Sequence, residues 1–245
     1  TIGVMSQPED ICLLRHDGSG KNAFKNPLSF RYLDDNFIES DAVKIGKTFM
    51  DYLKKTKDPR IHVYCSLKDG NTEFDKQFGL PNGYDSHTIA DAPSGSFVGL
   101  ENTSNFNINT ILRLDAPTIF LMPSETKLLL AEAVLRNWTN GNAEVLYKEA
   151  ITSSMKEQEI AYGTQGKITD EEIETYLAQN LFSTANNTEK LQIIGEQYWV
   201  ATFINGYESY ANWRRTGYPK LIPTNYSGSM SPGVIPTRLP YPTDE

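Results

Sequence analysis

The sequence predicts a mainly α fold: tetratricopeptide-like helical hairpins with long irregular loops and little β structure. Three observations predict it. Residues 123–218 carry apolar side chains at three- and four-residue steps between recognisable caps. Residues 1–122 are turn-rich, with Gly70, Gly79, Pro81, Gly83, Pro93, Gly95 and Gly99 breaking any long period. The last 27 residues, from Pro219, hold six of the 13 prolines, which forbids helix and central strand there. The expected organisation is therefore a loop-rich region over 1–122, a helical region over 123–218 and an extended tail over 219–245 packed on the helices.

Before residue 123 the periodicity predicts one helix, from Ser40 to Lys55. Ala42, Ile45, Phe49 and Leu53 form its apolar face, Ser40 caps it and Asp58-Pro59 stops it. Ile61 to Leu67 follows as a short β-prone run. Pro123-Ser124 then opens a helix with Leu128, Ala131, Leu135 and Trp138 on one face, ended by Asn140-Gly141. Ala143, Leu146, Tyr147, Ala150, Ile151 and Ser154 repeat the spacing, so the two helices read as an antiparallel hairpin. Thr169 and Glu172 have the spacing of a capping box, and Ile173, Tyr176 and Leu177 mark the helix behind it. Thr188 is expected to cap a further helix along Leu191, Ile194, Tyr198, Ala201 and Thr202, continuing through a kink at Gly206 to about Arg215, with Gly217 as its C-terminal cap. The hydrophobic residues of the tail, Leu221, Ile222, Val234, Ile235, Leu239 and Tyr241, are too many for a solvated end. Trp138, Trp199 and Trp213 are read as core.

Composition excludes several functions. The chain has 245 residues, with 31 acidic against 23 basic side chains and a net charge of -8, the wrong sign for holding nucleic acid. The best apolar run, Leu128 to Leu135, is broken by Glu132 and falls well short of the roughly 18 residues that cross a bilayer. Residue 1 is Thr, and Thr1 to Arg15 lack the pattern of a secretion signal, so the true start is expected upstream. Cys12 and Cys65 are too few for a disulfide scaffold, and their pairing state is left open.

Catalytic chemistry finds little support. His16, His62 and His87 are the only histidines, and His62 with Cys65 lacks the third and fourth ligands a zinc site needs, so no metal and no cofactor are expected. Asp34-Asp35 and Asp170-Glu171-Glu172 are candidate carboxylate pairs, but the second set sits where a helix dipole favours acids. Phosphate loops, dinucleotide fingerprints and nucleophile elbows are absent from the sequence, and no catalytic residue is assigned.

The loop aromatics are more suggestive. Phe74, Phe78, Tyr84, Phe97 and Phe106 are interleaved with Asn71, Asn82, Asp85, His87 and Asn102. Flat rings offer apolar faces to sugar rings, and short amides and carboxylates fix hydroxyl groups. The competing reading, that these rings pack beneath the loops, carries more weight. Tyr84, Asn82, Asp85 and Phe78 are the first candidates for ligand contact, which would make residues 1–122 the ligand-facing region.

Five strings carry a resemblance. Leu129-Leu130-Ala131-Glu132-Ala133 near Tyr147-Lys148-Glu149-Ala150-Ile151, then Asn212-Trp213-Arg214-Arg215-Thr216-Gly217-Tyr218-Pro219, then Arg238-Leu239-Pro240-Tyr241-Pro242 before Glu245, with Asp58-Pro59-Arg60 upstream, resemble the SusD/RagB family of nutrient-binding outer-membrane lipoproteins. The resemblance implies a non-enzymatic protein at the surface of Bacteroidetes-type bacteria. It would be tethered by an upstream lipid anchor, seated on a SusC-like TonB-dependent transporter and capture oligosaccharides or other nutrients. It also implies that this chain is the C-terminal half of a longer one. Arg214 and Arg215 match a structural motif of the family and are expected to clamp the returning tail. A helical-repeat scaffold that binds only protein, or a glycoside hydrolase, are the alternatives.

Overall fold

The computed structural model describes residues 3–34, 44–84, 88–92, 95, 98–182, 184–224 and 233–238. Its helices are α1 (Pro27–Asp34), α2 (Lys47–Thr56), α3 (Ile61–Tyr64), α4 (Pro123–Leu135), α5 (Ala143–Tyr162), α6 (Asp170–Gln179), α7 (Asn187–Ala201) and α8 (Gly206–Thr216). The strands β1 (Cys12–Leu14) and β4 (Thr118–Leu121) form one antiparallel pair, and β2 (Cys65–Ser66) and β3 (Asn105–Phe106) another. The mainly α character and the irregular first half match the sequence reading.

Helices α4 and α5 form the expected hairpin, and α4 also packs against α7, which in turn packs on α8. Glu157 of α5 pins the hairpin: its buried carboxylate accepts from Ser124 N at 2.9 Å, Ser124 Oγ at 2.6 Å and Ser153 Oγ at 2.8 Å. The Thr169/Glu172 capping box forms as its spacing predicts, and Gly217 closes α8 with φ 73°.

Six details differ from the sequence reading. Helix α1 was not foreseen; Asn26 Oδ1 accepts from Leu28 N and Ser29 N with Pro27 at the first helical position, a local start for a helix too short to show a period. Helix α2 begins at Lys47 because Ile45 is drawn into extended pairing, donating to Ser104 O and accepting from Leu80 N. The expected cap Ser40 lies outside the described residues. Ile61–Leu67 is a helical turn followed by β2 rather than a strand, since Ile61 N bonds to Asp58 O and Tyr64 N to Arg60 O. The cap of α7 is Asn186, three residues before Glu189, and not Thr188. The chain leaves the helix after Ala201 and Asn205 caps α8 as a separate element, so there is no kinked continuation. Trp138 is 71% exposed: Asn137 at φ 58° ends the turn after α4 and swings the indole out, with Arg136 5.4 Å from its centre.

A continuous core joins the two halves. Phe203 stacks on Phe49 at 4.4 Å and on Tyr64 at 4.9 Å, and meets Phe106 edge-on at 5.5 Å. In the tail, Pro219 is buried, and Pro219, Leu221 and Ile235 line a small cavity of about 180 Å³ with Trp199, Tyr210 and Trp213. Ile222 and Val234, expected to pack, are exposed.

Candidate ligand-binding cleft

The site is organised by a buried ion pair. Asp58 and Arg60 have no exposed side-chain surface, and Arg60 donates to Asp58 through Nε at 2.9 Å and through a terminal nitrogen at 2.5 Å. The guanidinium also reaches Ser154 Oγ on α5 at 3.0 Å and Gln197 Oε1 on α7 at 2.7 Å. Gln197 in turn donates to Tyr176 Oη on α6 at 2.7 Å. Burial opposes the charge on Arg60, but the Asp58 carboxylate outweighs it and raises the guanidinium pKa. One short motif thus fixes α3 against three helices.

The outer side of that junction is a cleft of about 700 Å³. Lys57, Pro59, Ile61, His62, Thr72, Phe74 and Asp75 form one wall; Glu171, Glu172, Thr175, Tyr176 and Gln179 of α6 form the other. The Phe74 ring is half-buried against the core, whereas Tyr176 is 2% exposed and gives the cleft its floor. Around them stand hydroxyl, amide and carboxylate groups at the rim. His62 Nε2 lies 3.3 Å from the Lys167 carbonyl, which orients the imidazole. This combination can stack a flat ring and hydrogen-bond its substituents.

A second cleft, of about 750 Å³, lies between α1, β4 and α8, lined by Leu28, Ile119, Phe120, Ile204, Tyr207 and Tyr210 among others. Asn26 Nδ2 there donates to Ala116 O, and Asn205 Oδ1 accepts from Glu208 N. Its rings Phe120, Tyr207 and Tyr210 are exposed, but its lining carries fewer polar side chains than that of the first cleft.

Of the sequence candidates, Phe78, Asn82 and Tyr84 do not line the first cleft. Phe78 is 37% exposed and carries Lys54 Nζ 4.1 Å from its ring centre; the same ammonium donates to the Asp75 carbonyl at 3.3 Å, so Phe78 flanks the Asp75 rim. Asn82 caps α2 from outside, accepting from Thr48 N at 3.3 Å and Thr48 Oγ1 at 3.1 Å. Tyr84 is half-buried, its amide bonded to Pro81 O. Asp85, with His87 and Phe97, lies outside the described residues. Gly79 holds this segment against α2: a Cβ there would sit 2.4 Å from Lys47 Cα.

Sequence reading did not single out Thr72, Thr175 or Gln179. Nothing in one sequence joins residues 72–75 to 171–179. A partial signal lay in Asp170-Glu171-Glu172: Asp170 pairs with Lys156 at 3.2 Å and Glu172 closes the capping box, leaving Glu171 beside the cleft.

Among the described residues Arg215 bonds to helix partners rather than to the tail. It forms a bidentate pair with Glu132 of α4, at 2.6 and 2.7 Å, and Arg136 adds a third bond at 2.7 Å. A guanidinium matches a carboxylate edge in two parallel bonds, which no single carbonyl of the tail could offer. The tail is held by Tyr210 Oη donating to Pro236 O at 2.6 Å.

Residues 1–242 match the model of the SusD-like family described as starch-binding and associating with the outer membrane. Among solved structures, a chitin-binding protein is 28% identical over 99% of this chain and 50% of its own, with a TM-score of 0.77. A SusD homologue from Bacteroides fragilis is 24% identical over 98% and 52%, at 0.71. A chitin-binding SusD homologue from Flavobacterium johnsoniae is 23% identical over 94% and 47%, at 0.63. The chain thus spans about half the length of these structures. No curated protein matches it.

Proposed function

This chain belongs to the SusD-like family of starch-binding proteins associated with the outer membrane, and from that premise we propose that it captures oligosaccharides at the bacterial cell surface for a SusC-like TonB-dependent transporter. The observation that carries the reading is the cleft between residues 57–75 and α6, where the half-buried Phe74 ring, backed by the core, is surrounded by Thr72, Asp75, Thr175, Gln179 and Glu171. The Phe74 ring supplies an apolar face and the polar groups accept and donate to sugar hydroxyls, so binding needs no bond to break. Phe78, beside Asp75, extends the platform, with Tyr84, Asn82 and Asp85 on the chain that follows. The chitin-binding proteins of the same fold support a glycan ligand.

The test is isothermal titration against neutral oligosaccharides of the glucose and N-acetylglucosamine series, together with reducing-end release. Binding without release is expected, and Phe74→Ala should weaken it on the order of tenfold. Silence across the panel would remove the glycan reading and favour a protein-binding scaffold; release of reducing ends would replace capture with hydrolysis.

A further inference from the structure

We propose, resting on the glycan reading above, that the same cleft selects amine-bearing oligosaccharides, such as de-N-acetylated amino sugars, and rejects uronate- or sulfate-bearing ones. The argument is the sign of the lining. Asp75, Glu171 and Glu172 share the lining with two basic side chains, Lys57 and His62, so acidic groups outnumber basic ones. Of the cations around it, Lys54 is occupied with the Asp75 carbonyl and the Phe78 ring, Lys76 with Glu73 and Lys156 with Asp170. His62 turns one ring nitrogen to the Lys167 carbonyl. Glu172 is tied to Thr169, whereas Asp75 and Glu171 are exposed on opposite walls. A sugar resting on Phe74 between those walls therefore meets carboxylates across much of its edge. Hydroxyls are tolerated there, an ammonium gains attraction, and a second anion meets repulsion that grows as water is excluded.

Exposed pairs are weak singly, so two of them favour the amine by on the order of tenfold at low salt and by little when charges are screened. The experiment compares an N-acetylglucosamine tetramer with its fully de-N-acetylated counterpart at pH 6, where the sugar amine is protonated, in low and high salt. A tetrauronate and tetralysine serve as controls. The expected result is a roughly tenfold preference for the amine at low salt, no binding of the uronate, and loss of the preference in the Asp75→Asn/Glu171→Gln protein. Both positions are exposed, and an unchanged thermal melt confirms that the variant folds. A neutral tetramer that binds as well as the amine, or a preference that survives both substitutions, overturns this inference and leaves glycan capture standing. Failure of every sugar, neutral or amine, overturns both. Tetralysine binding as tightly as the amino sugar would assign the cleft to basic peptide instead.

Discussion

Glu125 should make the fold lose stability as pH rises toward 8. It sits in the first turn of α4 and is 6% exposed, facing Tyr198 of α7, Glu208 of α8 and Glu157 of α5. Tyr198 Oη lies 3.4 Å from Glu125 Oε2 and 3.3 Å from Glu208 Oε2, so one hydroxyl proton must serve two carboxylates. Glu125 Oε1 has no partner among the described residues. Burial first, then the negative charges of Glu208 and Glu157, push the Glu125 carboxyl up from 4.5 to about 7. The native state therefore holds this proton more tightly than the unfolded chain. Its stabilising contribution is complete below pH 4.5 and is lost as pH rises through about 7. The difference of about 2.5 units, at 1.36 kcal/mol each, sets a ceiling of about 3 kcal/mol. Glu125→Gln keeps the shape and cannot ionise. Urea unfolding of both proteins at pH 5, 6, 7 and 8 should give nearly equal stabilities at pH 5 and a growing advantage for the variant, up to about 3 kcal/mol at pH 8. In melting temperature this is about 2–4 °C per kcal/mol for a chain of this size. A gap between the two proteins that stays constant from pH 5 to 8 would refute the assignment of Glu125 as a buried, titrating acid.

Asp58→Asn strands the buried Arg60 guanidinium and should cost about 3 to 5 kcal/mol in urea unfolding. Arg215→Ala leaves the nearly buried Glu132 with Arg136 alone and should cost about 1 to 3 kcal/mol while leaving ligand titration unaltered. Although burial opposes it, bonding to Arg215 and Arg136 lowers the Glu132 pKa, so this contribution is present above 4.5 and disappears as pH falls through the lowered value; acid titration of the melt checks it. Gly79→Ala forces a Cβ onto Lys47 Cα and should lower the melting temperature by several degrees, while Gly3→Ala, with open space around it, should not.

What could be read from the sequence was what neighbouring residues decide among themselves. Thr169 and Glu172 satisfy each other's backbone amides whatever the rest of the chain does, and the stripe from Ala143 to Ser154 needs only a partner surface, so the box and the hairpin were legible. Ile61–Leu67 was misread because its β-prone side chains are overruled by Arg60, whose partners Ser154 and Gln197 lie 94 and 137 residues away. Trp138 kept helical spacing past the end of the helix, where Asn137 reverses the backbone. Arg215 was expected to meet the tail, and its partner among the described residues is Glu132, which in the sequence looked like an interruption of an apolar run and not a ligand for a guanidinium. The same rule explains why the cleft was only half visible. Phe74 was noted for its ring, yet a ring becomes a platform only when the core behind it and the polar wall before it are both in place, and that wall belongs to α6. Asn82, chosen for its amide, spends that amide on Thr48, while Glu171, dismissed with its neighbours as a dipole partner, stands beside the cleft once Lys156 and Thr169 have taken the other two carboxylates. Site residues in this chain are thus distinguished less by their type than by being left over after the fold has used the rest, and that remainder can be computed only after the long-range pairs are known.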